Sequence, residues 1–143
     1  MPEVLHFSAP IECILSNDGK SLTLLKGFKF VRYVSKNSNL VFEEIVVPAG
    51  FSCDGFTNLG LNQLVPKFGK GLKCAILHDY LCVQAQQGKH SRKYADDVFL
   101  EAMLETKAFG TFKAYFLYGC VRVFGTAKAF VNNYKKRSDH ANH

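Results

Sequence analysis

A histidine and an aspartate stand next to each other in the middle of an otherwise apolar segment. The segment runs from Lys73 to Cys82, and the pair is His78 and Asp79. Burying two such groups costs free energy unless each finds a hydrogen-bonding partner. The pattern predicts a helix here, with a chemical or structural task for the pair.

Asp96, which lies in the next predicted helix, is the expected partner of His78. Consecutive helical residues point about 100° apart, so His78 and Asp79 cannot share one hydrogen bond. If Asp96 accepts a hydrogen bond from one ring nitrogen, the other nitrogen is left as a base toward water. Asp79 would then hold a divalent cation that polarises an ester carbonyl. These roles need no nucleophilic side chain.

The loop after residue 50 offers further oxygen ligands for a cation. It contains Asp54, Gly55 and Thr57, whose side-chain and carbonyl oxygens are of the type that a hard cation prefers. Asp54 is therefore a candidate metal ligand together with Asp79, and Gly55 and Thr57 are candidate supporting residues. The same composition is typical of ordinary Asx turns, and both interpretations stay open.

Two other interpretations of the histidine also stay open. His78 and Asp96 can be satisfied core residues, with Asp96 in an i, i+4 ion pair with Arg92. Cys74, His78 and Cys82 recur every four residues, a spacing at which two residues can bind zinc. All three span about 12 Å along a helix and cannot reach one ion together.

Three helices are predicted in the C-terminal half. Ser91 is a favourable N-cap for the second helix. The core face of that helix comprises Tyr94, Val98, Phe99, Ala102 and Met103. The short polar connection at 84–90 predicts that the first two helices are antiparallel neighbours. A third helix is predicted at 112–124, ended by Gly125.

Residues 1–50 are predicted to be β structure. A polar turn at 17–19 separates two apolar runs at 11–15 and 21–25, which is the pattern of strand, turn and strand. A third strand alternates at 28–33, and a fourth runs over 40–47. The predicted fold class is α+β: an N-terminal antiparallel β meander, then a helical part in which two antiparallel helices carry the His-Asp and Ala-Asp motifs.

The chain of 143 residues is predicted to be one domain. Its predicted parts are the β part at 1–50, a loop at 51–71, the helical part at 72–125, and a basic, partly disordered tail at 126–143. The five cysteines are odd in number and include no C-x-x-C, so neither a disulfide framework nor a zinc ribbon is indicated.

Charge and hydropathy limit the classes of partner. The net charge of +6 favours an acidic partner such as an anionic membrane surface. Binding of nucleic acid would rest on the cluster Lys135, Lys136 and Arg137, which matches no recognised motif, so nucleic acid is not the expected partner. No apolar run is long enough to span a bilayer, and the N-terminus does not resemble a signal peptide. We expect a protein that is kept in a cytosol or packaged from one.

Four segments, in order, resemble a family of small phage and bacterial proteins of unknown function. The family pattern is V-P-x-G-F-x-T-D-G-A-S, then H-D-Y-L-Y, then S-R-x-x-A-D-x-x-F-x-x-A-M, then R-x-F-G. The matching segments begin at Val47, His78, Ser91 and Arg122. The resemblance implies a phage or prophage origin, a location in the host cytoplasm or the virion, and virion proteins as partners.

The order of an Asp-Gly loop, a helical His-Asp pair and a later helical Asp is also similar to the phospholipase A2 superfamily. This resemblance implies that His78 is the base, Asp79 a Ca²⁺ ligand and Asp96 the orienting group. The glycine-rich calcium loop and the disulfides of secreted phospholipases are missing. Cys82 stands where both patterns have Tyr.

The leading hypothesis is therefore a phage-encoded, phospholipase A2-like, metal-assisted hydrolase of lipid or envelope esters. Tyr80 and Arg92 are its candidate supporting residues. The alternative is a non-catalytic virion, assembly or host-interaction protein, in which the polar residues form a buried network that fixes helix packing.

Overall fold

The computed structural model describes residues 10–18, 21–53 and 71–125. Antiparallel strands come first and helices follow, which confirms the predicted α+β class. The elements are β1 (Cys13–Leu15), β2 (Leu22–Leu24), β3 (Phe28–Lys36), β4 (Asn39–Val47), β5 (Ser52–Cys53), α1 (Gly71–Gln86), α2 (Arg92–Thr106) and α3, which is helical over 111–125.

The strands form two small sheets. β1, β2 and β5 pair in that order, and β3 and β4 form a separate hairpin. The order differs from one continuous meander, because β2 pairs with β5 and not with β3. β5 lies in the stretch predicted as a loop. Two residues are too few to show the period of a strand, and β5 forms only because Cys53 and Ser52 stand opposite Leu22 and Thr23.

In the half of the β3–β4 hairpin that lies next to the core, one face is buried and the other is exposed. Phe28 and Phe30 of β3 and Ile45 and Val47 of β4 are buried, and their neighbours along each strand are more exposed. This alternation is the predicted one. The face carrying these four side chains belongs to the same hydrophobic core as the helices.

Each of the three helices runs antiparallel to the helix before it in the chain. Cys74 of α1 contacts Thr106 near the end of α2, whereas His78 contacts Asp96 near its start. Asp97 of α2 in turn accepts a hydrogen bond from Tyr118 of α3. The helices bury the apolar side chains Ile76, Leu77, Leu81, Val98, Phe99, Met103, Leu117 and Val121.

A favourable cap residue marks the start of α2 in the sequence, but no such residue marks its end. The Ser91 hydroxyl accepts a hydrogen bond from the Tyr94 backbone N–H, as an N-cap does. At the other end Lys107 adopts the left-handed conformation with φ 53°, a position that glycine usually fills. The predicted tail at 126–143 lies outside the described residues.

Arg32 links the β3–β4 hairpin to α2. Its guanidinium lies 2.8 Å from Glu101 of α2 and 3.4 Å from Glu43 of β4. The Tyr94 hydroxyl of α2 donates a hydrogen bond to the same Glu43 carboxylate. These contacts hold the hairpin against the half-buried side of α2 that carries Tyr94 and Glu101, roughly opposite Asp96. In the ranges that the structure describes, no helix is long and apolar enough to cross a bilayer.

Candidate functional site

The site is built around the carboxylate of Asp96, whose side chain is fully buried. Oδ1 lies 2.6 Å from His78 Nε2 and accepts a hydrogen bond from Arg92 Nε at 3.0 Å. Oδ2 accepts a hydrogen bond from a terminal nitrogen of Arg122 at 3.0 Å. One carboxylate therefore holds a group from each of the three helices.

Helical spacing and helix packing place these groups. His78 lies on the buried side of α1, where its ring packs against Phe99 with 4.7 Å between ring centroids. Arg92 precedes Asp96 by one turn of α2, so its guanidinium reaches forward along the helix to the carboxylate. Arg122 arrives from α3, which packs beside α2. The predicted partner of His78 and the predicted i, i+4 ion pair of Asp96 are both present, and they share Oδ1.

The protonation states follow from the charges at the site. Burial opposes ionisation of Asp96, but hydrogen bonds from His78 and Arg92 outweigh it and hold the pKa of Asp96 below its usual value. Burial lowers the pKa of His78, and the charge of Arg92 adds to this against the opposing effect of Asp96. Two guanidiniums already neutralise the carboxylate, so an additional positive charge on the imidazole is disfavoured.

A neutral His78 has one possible arrangement of its proton. Asp96 is ionised and can only accept, so Nε2 carries the hydrogen and donates it to Oδ1. Nδ1 then holds a lone pair. This is the state that a general base requires.

Cys82 lies one turn after His78 and is the third group at the imidazole. Its sulfur is 3.5 Å from Nε2 and 3.9 Å from Nδ1. The side chain is half-buried, whereas that of His78 is only 3% exposed. The thiol therefore lies between the ring and the more exposed side of α1.

Comparison with family models assigns the chain. The model described as "Protein of unknown function (DUF1353)" matches residues 28–121, which is more than half of the chain. The chain belongs to the DUF1353 family. The matched region includes β3, β4, α1 and α2, and with them His78, Cys82 and Asp96. Neither a curated protein nor a solved structure shows significant similarity to the chain.

Within the described part of this DUF1353 protein, the metal-ligand types His78, Cys82 and Asp96 form a group whose ligand atoms lie within 4.8 Å of one another. Distance alone would allow a transition metal to bind there. The two guanidiniums argue against it, because they occupy both oxygens of Asp96 and add positive charge where a cation would sit. The group is better suited to moving a proton than to holding a metal ion.

The predicted calcium site lies only partly within the described residues and stays a prediction. Asp79 is half-buried on α1, and it belongs to no group of three acidic, histidine or cysteine ligands in the described ranges. The other predicted ligand and its supporting residues, Asp54, Gly55 and Thr57, lie outside those ranges.

Tyr80 lies against the strand part of the protein. Its ring meets Phe51 edge-on at 5.3 Å, and its hydroxyl accepts a hydrogen bond from Gln84. Tyr80 follows His78 by two residues, about 200° around the helix, so it points away from the His–Asp pair. Its contacts join α1 to the segment beside β5.

Arg122 is the residue that sequence reasoning did not assign to the site. The R-x-F-G motif contains it, but a motif on a third helix does not reveal which carboxylate it meets. Sequence reasoning did not assign the contacts of Asp97 either: it binds Lys93 on its own helix and Tyr118 on α3.

Proposed function

We propose that this DUF1353 protein is an ester hydrolase in which His78 is the general base and Asp96 positions it. The observation that carries the proposal is the 2.6 Å contact between His78 Nε2 and Asp96 Oδ1. It uses one ring nitrogen, fixes the tautomer and leaves Nδ1 as the proton acceptor. The same division of roles follows from the resemblance to the phospholipase A2 superfamily.

In the proposed reaction, Nδ1 of His78 takes a proton from the attacking group while the new bond to the carbonyl carbon forms. The imidazolium that results is stabilised by Asp96 and then gives its proton to the departing alcohol. Arg92 and Arg122 keep Asp96 ionised throughout, because both donate to it. They also weaken its pull on the imidazolium, so we expect a slower base than a His–Asp pair without them.

The substrate class of the proposal is a lipid or another ester of a cell envelope. The net charge of +6 suits a surface rich in anionic lipid. A phage origin, with action in the host cytoplasm or from the virion, is the biological setting that we propose with it.

The test is release of fatty acid from vesicles of phosphatidylglycerol by the full chain, with and without added calcium. We expect turnover that falls by about 10²- to 10⁴-fold in His78→Gln, the usual contribution of a general base. Asp97→Asn is the matched control, because Asp97 is the neighbouring carboxylate and binds Lys93 and Tyr118 instead. Equal turnover in wild-type protein and a folded His78→Gln protein would overturn the proposal.

Calcium and Asp79 are tested in the same assay. The sequence prediction is that calcium increases turnover and that Asp79→Asn removes this effect. Turnover that does not respond to calcium would remove the metal from the proposal and leave the base intact.

A second candidate function is that of a non-catalytic virion, assembly or host-interaction protein. It is favoured by the burial of the His78 side chain, which is 3% exposed, and by the three partners of Asp96. A fully satisfied buried network can serve only to fix helix packing. Co-purification with phage particles, together with no hydrolysis of any ester, would support this candidate.

A further inference from the structure

Cys82 is the polar group beside the proposed base that the proposed function leaves unused. The hydrogen bond to Asp96 consumes Nε2 of His78, so Nδ1 is the nitrogen that remains for proton transfer. The Cys82 sulfur lies 3.5 Å from Nε2 and 3.9 Å from Nδ1, so it sits beside the ring, and Nδ1 is the one of the two nitrogens that can take its proton. Thiol, imidazole and carboxylate are therefore contiguous.

The order of the three groups is that of a nucleophile, a base and an orienting acid. His78 and Cys82 are one turn apart on α1, so the helix itself holds them together. Asp96 comes from α2 and is fixed by Arg92 and Arg122. The thiol is the most exposed of the three side chains, as a nucleophile must be to meet a substrate.

We propose that Cys82 is a nucleophilic thiol activated by His78 and Asp96, and that it accepts the acyl group of an ester or thioester. This inference rests on the proposed function in taking His78 as the base. It differs in the nucleophile, which becomes a side chain where the proposed function needs only water.

The step balances within the protein and its substrate. The thiol proton moves to His78 Nδ1 as the sulfur bonds to the carbonyl carbon. The bond from that carbon to the alcohol oxygen then breaks, and the alcohol leaves with the proton from Nδ1. Water, deprotonated at Nδ1, next attacks the thioester, and the carboxylic acid leaves as the S–C bond breaks and the sulfur regains its proton. The net reaction is ester and water giving acid and alcohol.

A thiol and a water molecule make different demands on position 82. If Cys82 is the nucleophile, Cys82→Ser stops turnover because a serine hydroxyl is a much weaker nucleophile than a thiolate. If water attacks directly, Cys82→Ser and Cys82→Ala keep their activity. His78→Gln would be fully active only if His78 were not the base.

The experiment treats the full chain with p-nitrophenyl acetate and locates the acetyl group by mass spectrometry. We expect a burst of about one equivalent of p-nitrophenol and acetylation at Cys82. Cys13 and Cys120 are internal controls, because both are half-buried thiols in other elements. Acetylation at Cys82 no faster than at these two would overturn the proposal.

A second measurement remains informative if a variant does not fold. Iodoacetamide is added to wild-type protein at pH 7, and the alkylation rate of each cysteine is followed. We expect Cys82 to react at least about tenfold faster than Cys120, because His78 lies beside Cys82 and can take up the thiol proton as a general base. Equal rates would overturn the proposal. Loss of lipid turnover in His78→Gln with full turnover in Cys82→Ser would also overturn it, while leaving the proposed function in place.

Discussion

At the scale of single residues, Asp96 has the largest expected effect on stability. Asp96→Asn removes the charge that Arg92 and Arg122 bind and weakens the bond to His78. We expect the free energy of unfolding to fall by about 3 kcal/mol, the lower end of the range for breaking a buried ion pair, because the guanidiniums are partly exposed. Denaturation in urea measures it.

The neighbouring carboxylate supplies the control for this prediction. Asp97 has an exposed side chain and binds the exposed Lys93, so Asp97→Asn is expected to cost less than about 1 kcal/mol. Similar losses in the two variants would mean that the buried cluster contributes no more to stability than a surface pair.

The buried imidazole predicts how stability depends on pH. The pKa of His78 lies below its ordinary 6.5 in the folded protein, so below pH 6.5 the unfolded chain takes up a proton there and the folded chain does not. The contribution of neutral His78 to the free energy of unfolding is fully present above pH 6.5. It falls as the pH drops toward the folded-state pKa, by at most about 1.4 kcal/mol per pH unit. Asp96, whose pKa is also lowered, adds a similar loss below pH 3.8.

His78→Gln tests this assignment, because glutamine does not titrate. Unfolding free energies of wild-type protein and variant are measured between pH 7 and pH 5. The variant is expected to show the smaller loss. Parallel curves would assign the acid sensitivity to other groups.

At the scale of elements, the β3–β4 turn carries correctable strain. Asn37 and Ser38 have φ values of 51° and 65°, and a two-residue hairpin turn of this type favours glycine at its second position. Ser38→Gly is expected to raise the free energy of unfolding by about 0.5–1 kcal/mol. Ser35→Gly, in the same hairpin but within β3, is expected to lower it by about as much. A loss of stability in both variants would contradict this account.

The elements also show how far sequence reasoning reaches. Alternation predicted the buried face of the hairpin, and helical spacing together with a short connection predicted that His78 and Asp96 meet. Those inferences use local periodicity and one antiparallel pairing. The pairing of β2 with β5 and the approach of Arg122 depend on packing between segments far apart in the chain, for which no local pattern exists.

At the scale of the whole molecule, none of the five cysteines forms a disulfide, so we expect that a reductant does not change the stability of the protein. All five lie in described ranges and none is in a disulfide, so dithiothreitol is expected to leave the unfolding midpoint unchanged. Burial raises the pKa of Cys74 to about 11, and this thiol should react last in native protein. Thiol titration with and without denaturant checks both statements, and fewer than five thiols in denaturant would contradict them.

The convergence of α1, α2 and α3 on one carboxylate also bears on local opening. Detaching any one helix would leave a charged or polar side chain of the other two helices without its partner. Opening a single helix beyond its ends therefore costs free energy. In amide hydrogen exchange, the central residues of the three helices should therefore exchange with one shared protection factor. The β1–β2 hairpin, which has no part in that junction, is left to open on its own.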